Sequence, residues 1–314
     1  MLLSATNLRA GFRIAAAAAG RILPEERNVA FERWLRGYEE AKKLEKADAV
    51  IVSFGKSGRT WLRVMLTRYF THKYGLSSSA MMEFDELKRR NSAIPTLFFT
   101  HDNYLRDYTG TDAKFDNYGR AKIVLLVRDP RDTAVSQYFQ WKHRIRPRKK
   151  VINAYPLGDM EVYDFISGEA AGIPKIIGFM NAWAHDMDRF PQIMILKYED
   201  LRADGPNQLR KLLNFLGQSP TDADIEDAVS YASIDNMRRL ERENSGKLMA
   251  NSRLKPGDAN DPSSFKVRRG KVGGWRDYLT AEQVENIDHM VETDLKPIFG
   301  YGAAERGNPP RSAG

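Results

Sequence analysis

The segment Ser53-Phe-Gly-Lys-Ser-Gly-Arg-Thr-Trp61 restricts this chain more than any other. It begins inside the short, β-branched run Ala49 to Phe54, which reads as a buried strand. Beyond it Trp61, Leu62, Met65, Leu66, Tyr69 and Phe70 fall on one helical face, with Gly75 as a stop signal. A buried strand, a glycine-containing turn and a helix in succession aim several backbone N–H groups at one point, and the helix N-terminus adds positive potential there. Lys56 contributes a full charge, and Ser57 and Thr60 contribute hydroxyls. The turn therefore reads as a phosphate cradle. It lacks the spacing G-x-x-x-x-G-K-[ST] of nucleoside-triphosphate loops, because Val50 stands where the first glycine would be needed.

Three more apolar runs read as buried strands: Thr96 to Thr100, Lys122 to Val127 and Gln192 to Leu196. Pro130 can open a helix whose apolar face is Ala134, Val135, Tyr138 and Trp141, and Leu209, Leu212, Leu213 and Leu216 mark another. Strands alternating with helices predict an α/β fold, a P-loop-like parallel sheet flanked by helices on both faces in a single domain. A length of 314 residues suits one such domain with long insertions. Residues 1–47 are expected to form a helical lead-in, with Phe31, Trp34, Leu35 and Tyr38 at helical spacing. Residues 48–300 form the main domain, ending in a helix from about Ala281 to Lys296, and 301–314 form a disordered tail. Residues 246–274 combine Gly, Pro, Ser, Asn and charges with little periodicity, and are expected to form a mobile lid.

Three further segments carry chemistry. Arg128-Asp-Pro-Arg-Asp-Thr-Ala-Val-Ser136 leaves the third strand, and Thr100-His101-Asp102 leaves the second. Lys56, His101 and Arg128 thus each follow the carboxyl end of an expected buried strand, the edge at which open α/β sheets bind ligands. Val267-Arg-Arg-Gly-Lys-Val-Gly-Gly-Trp275 ends the expected lid, and its paired arginines beside glycine can close over an anion.

Together these segments resemble the cytosolic-type sulfotransferase family over about Ala49 to Lys296. The resemblance implies that Lys56, Ser57, Gly58, Arg59, Thr60 and Trp61 hold the 5′-phosphosulfate end of 3′-phosphoadenosine 5′-phosphosulfate, the sulfonate donor. It implies that Arg128, Ser136, Arg268, Arg269 and Gly270 hold the 3′-phosphate. Tyr198, Ser233, Ile234 and Trp61 are expected around the adenosine. His101 is expected to accept the proton of an acceptor hydroxyl, Lys56 to stabilise the leaving phosphate, and Ser136 to restrain Lys56 as well as bind phosphate. No metal is expected. The chain departs from the family at Phe99, where a lysine often stands two residues before the histidine, and at Gly274, where an aspartate usually precedes the tryptophan. Arg59 replaces a common threonine, and the expectation is that its charge stands in for the missing lysine.

Composition narrows the partners. Lys and Arg number 49 against 41 Asp and Glu, a net charge of +8, and the pI is about 9.4. That excess suits an anionic ligand, glycan or membrane surface. It is dispersed, and no nucleic-acid-binding signature accompanies it. There is no cysteine, so disulfides and thiolate sites are excluded. The five histidines, His72, His101, His143, His185 and His289, show no metal-ligand spacing. The basic segment Trp141 to Lys150 favours a carbohydrate or lipid hydroxyl as acceptor. Expected location is the cytoplasm, with peripheral contact at the inner face of a membrane kept open for the N-terminal run Ala15 to Gly20, which is far short of the roughly 20 apolar residues a span needs. Monomer and homodimer both stay open. Two rival readings stand beside the enzyme: a P-loop kinase, and a non-catalytic protein of the same fold that binds anionic glycans.

Overall fold

The computed structural model describes residues 24–77, 81–243, 254, 258, 261, 264–267 and 270–302. Four parallel strands, β1 (Ala49–Val52), β2 (Leu97–Thr100), β3 (Lys122–Val127) and β4 (Ile193–Lys197), form one sheet in the order β2-β1-β3-β4. Ala49 and Val52 register with Leu97 and Thr100 on one side, and Ala49 with Lys122 on the other. Val124 registers with Met194.

Strand side chains alternate between two cores. Ile51, Val124 and Leu126 face α-helices that carry Leu62, Met65, Leu66, Leu209 and Leu213. Val50, Val52, Ile123 and Leu125 face the opposite layer, which holds Trp141, Trp183 and Trp275. Both faces are covered, so the strands are unbroken apolar runs rather than alternating ones. On the first face lie α2 (Arg59–Lys73), α5 (Gly205–Phe215) and α6 (Asp222–Tyr231), and on the second α3 (Pro130–His143), α4 (Ile173–His185) and α8 (Ala281–Asp294). Helix α1 (Glu25–Leu44) precedes the sheet, and α7 (Ile234–Glu243) follows α6.

Helix α1 begins with Glu25 and Glu26 and ends with Lys42 and Lys43, which complements its dipole. It is tied to the main body. Arg33 bonds Asp107 at 2.9 Å and the Ile152 carbonyl at 2.9 Å. A Cβ at Gly37 would collide with the Tyr104 carbonyl, so only glycine permits this approach. The start of the expected tail also belongs to the body. Tyr301 is buried, its hydroxyl donates to Glu199 at 2.7 Å, and its carbonyl accepts from Arg131 at 2.9 Å. Among the described residues no helix is long and apolar enough to cross a membrane. The run Ala15 to Gly20, residues 303–314 and most of the expected lid lie outside the described residues.

The carboxyl ends of all four strands meet at one edge. In sheet order they deliver His101 from β2, the Ser53–Gly58 turn from β1, Arg128 from β3 and Tyr198 from β4.

Candidate active site

A cavity of about 870 Å³ opens at that edge. Its lining includes Lys56, Gly58, Arg59, Thr60, Trp61, His101, Arg128, Ser136, Tyr198, Ile234 and Gly270, which the sequence had scattered over more than 200 positions. Ser57 is buried beneath the turn, while Ser233 is exposed and outside the lining. Arg268 and Arg269 lie outside the described residues.

The turn is held in a shape that few residues adopt. Lys56 has φ 74° and Gly58 φ 95°, both left-handed. Gly58 is also the N-cap of α2, and a Cβ there would stand 2.6 Å from Tyr198 Cδ2. The helix N-terminus has no side-chain cap, which leaves its N–H groups to a ligand. Arg128 bridges the two sides of the cradle by donating to the Lys56 carbonyl at 3.3 Å and the Lys271 carbonyl at 3.5 Å. Its guanidinium lies 4.4 Å from the centre of the Tyr198 ring, and its buried Nε has no partner among the described residues. A buried, unsatisfied cationic donor is costly, and an anion at that point would satisfy it. The Tyr198 ring meets Trp61 edge-on at 5.6 Å, and Trp61 Nε1 donates to the Ala232 carbonyl at 2.7 Å. These aromatic groups form a wall suited to a base.

His101 lies at the other end of the edge. Its Nδ1 is 2.8 Å from the Ser53 carbonyl, so Nδ1 carries the proton and donates. Its Nε2 lone pair therefore faces the cavity, where Arg59 Nη2 donates to it at 2.5 Å. Burial, then the Arg59 charge, hold the imidazole well below its ordinary value of 6.5. The ring is neutral at physiological pH, with its basic nitrogen turned toward the cavity. Phe99, at the position of the lysine common in the resembled family, is nearly buried, and the Arg63 guanidinium lies 4.0 Å from its ring centre.

The end of the expected lid is anchored on either side of Gly274, the second departure. The Asp132 carboxylate accepts from Gly273 N at 2.7 Å and Trp275 N at 3.0 Å, and stands 3.7 Å from Arg128. Burial pushes this carboxyl up, against the pull of Arg128 and the two N–H groups. The docking of this segment thus relies on an acid from α3 rather than on a side chain at position 274.

The sulfotransferase-domain family profile matches residues 46–299. The chain belongs to the sulfotransferase family. Cytosolic sulfotransferase 17 of Arabidopsis thaliana is 27% identical over 286 residues, covering 83% of this chain and 79% of the relative. The amine sulfotransferase of Oryctolagus cuniculus is 25% identical over 283 residues, covering 85% and 88%. Among solved structures, a mouse sulfotransferase complexed with PAP shares the fold with a TM-score of 0.55 at 20% identity, covering 82% of this chain and 90% of the other. Retinol dehydratase in complex with androsterone and PAP gives 0.52 at 17% identity, covering 79% and 82%.

Two acids of this sulfotransferase escape sequence reasoning. Glu241 of α7 is fully buried and accepts from Lys266 N at 2.7 Å and Val267 N at 3.0 Å while pairing with Arg144 at 3.3 Å. Glu199 accepts from Asp129 N at 3.0 Å and from Tyr301. Glu241 sits in a helix rich in charge, where nothing in the pattern separates a clamp from a solvated residue. Glu199 had one signal, an acid directly past a strand end. Among the described residues no group of three or more His, Asp or Glu side chains is placed to hold a metal.

Proposed function

We propose that this sulfotransferase moves a sulfonate group from 3′-phosphoadenosine 5′-phosphosulfate to a hydroxyl of a carbohydrate or lipid, with His101 as general base. The observation that carries the reading is the His101 tautomer, fixed by the Ser53 carbonyl so that Nε2 is the basic nitrogen on the side of Lys56 and the β1–α2 turn. The donor supplies an activated sulfonate whose leaving group is a phosphate.

His101 Nε2 takes the proton from the acceptor hydroxyl as the oxygen attacks. Arg59 withdraws from Nε2 to let the hydroxyl in, and its charge then serves the transferring group in place of the lysine replaced by Phe99. Lys56 and the α2 N-terminus stabilise the leaving phosphate. Arg128, Ser136 and Gly270 hold the 3′-phosphate, and Arg268 and Arg269 carry the same role by family resemblance. The unpartnered Nε of Arg128 supports this assignment. Tyr198, Trp61 and Ile234 flank the base. Positioning and charge stabilisation are the main demands of such a transfer.

Relatives carry the names flavonol 3-sulfotransferase and amine sulfotransferase, so acceptors vary within the family. The name cytosolic sulfotransferase in several relatives supports a cytoplasmic location. The test is release of adenosine 3′,5′-bisphosphate (PAP) from the donor as carbohydrate and lipid acceptors are added, in the presence of EDTA. The expected result is acceptor-dependent release that His101→Ala loses. Donor binding without acceptor-dependent release would favour the non-catalytic reading.

A further inference from the structure

We propose that the acceptor carries an anionic group (a phosphate, sulfate or carboxylate) seated on Arg146 and Lys149 beside Arg59 while its hydroxyl faces His101. The inference rests on the sulfonate-transfer reading and adds to it the charge of the acceptor.

Among the described residues that line the cavity, ten are lysine or arginine and one, Asp132, is an acid. Sheet order divides them. Arg128 and Lys271 lie on the β3 side, with Lys56 at β1 between. His101 leaves β2, two strands from Arg128, and strands are spaced about 4.8 Å apart, so the two side chains start roughly 10 Å from each other. Asp132 stands with Arg128 and the Gly273 and Trp275 N–H groups, and so neutralises nothing on the β2 side.

The β2 side has its own positive wall. Arg146 precedes the short helix Pro147–Ile152, and Lys149 lies within it. Both line the cavity and are accessible from it. Neither has an ion pair among the described residues. Two acids of α1, the helix that packs against this short helix, are otherwise engaged. Glu32 takes Arg148 at 2.6 Å, and Glu40 is outside the cavity lining, its carboxyl pushed up to about 7 chiefly by burial. Lys149 is exposed as a whole residue, but the cavity wall desolvates its ammonium, and this, with the charges of Arg36 and Arg59, holds it below its ordinary value. Like charges gathered in a partly enclosed space repel one another, and an arriving anion relieves that repulsion. An uncharged acceptor would instead strip water from these cations and return no partner. The donor's phosphates do not resolve this, because their cradle is on the β1 and β3 side.

The test uses the full chain saturated with PAP, so that the donor phosphate site is filled. Calorimetric titration then compares glucose 6-phosphate with glucose, and phenyl phosphate with phenol. The expected result is that each phosphate binds at least tenfold tighter than its neutral parent. Lys149→Gln and Arg146→Gln should each remove about tenfold of that preference, as loss of a charge-assisted hydrogen bond does, and leave PAP affinity unchanged. Equal binding of phosphate and parent, or a preference that survives both substitutions, overturns the proposal. Failure of the unaltered protein to bind PAP in the first titration overturns the sulfonate reading instead, and the inference falls with it.

Discussion

The β1–β3 side of the cavity is built mainly by backbone, whereas the β2 side is built by long side chains. On the first, a left-handed Lys56 and Gly58, a bare helix N-terminus and an arginine bonded to two carbonyls fix a cradle of one shape. On the second, Arg59 at the start of α2 and Arg146 and Lys149 of one short helical segment line the same cavity as one neutral histidine. A backbone cradle suits a ligand that never changes, and a side-chain wall suits one that differs between relatives.

The largest effect should come on the β2 side. His101→Ala is expected to lower kcat by about 10² to 10⁴ while PAP affinity is kept; equal turnover would separate catalysis from the β2 side altogether. Next comes the clamp that positions Lys266 and Val267. Glu241→Ala removes a buried acid from Arg144 and two N–H groups, and should cost about 3 to 5 kcal/mol in chemical denaturation. An unchanged midpoint would show that the lid root is held by something else. Arg128→Ala should weaken PAP by about tenfold to a hundredfold and 5′-AMP little, since only PAP carries the second phosphate. If both ligands weakened equally, Arg128 would be a scaffold for the turn rather than a phosphate ligand.

Gly58→Ala forces a side chain into a left-handed position against Tyr198, and should cost about 1 to 3 kcal/mol of stability together with PAP affinity. Retained PAP affinity would break the claim that backbone shape makes the cradle. The smallest effect is on pH dependence. A base held below 6.5 stays neutral, so the acid limb of kcat/KM should lie below pH 6.5. Arg59→Met removes a charge that disfavours the imidazolium, so it should raise the His101 value and shift the limb upward. A limb near 7 that disappears in Glu40→Gln would assign it to Glu40 instead.

What could be read from the sequence follows the same division. All four strands and the helices beginning near Arg59, Pro130 and Ala281 were legible, because a strand buried on both faces is a short apolar run with a turn after it. The positions of Lys56, His101 and Arg128 followed from strand ends alone. Helix α4 carries buried Ile173, Ile176, Ile177, Met180 and Trp183 at the i, i+3, i+4, i+7 spacing of a helical face, a signal present in the sequence but passed over in reading it. Asp132 and Glu241 act through backbone N–H groups 141 and 25 residues away, a pairing that only the folded chain makes. Arg59 was legible as a departure from the resembled family, but its bond to His101 Nε2 was not. Tyr301 looked like the start of a tail because its partners, Glu199 and Arg131, are more than 100 residues away.

The central claim, a cradle for a nucleotide with a 3′-phosphate, is tested most directly by thermal unfolding with PAP, with 5′-AMP and with ATP plus Mg²⁺. A ligand at about 100 times its Kd adds about 2.7 kcal/mol, a shift of several degrees in a chain of this size. The account predicts that PAP raises Tm well beyond 5′-AMP. A rise with ATP and Mg²⁺ but not with PAP would contradict it and make the kinase reading the better one.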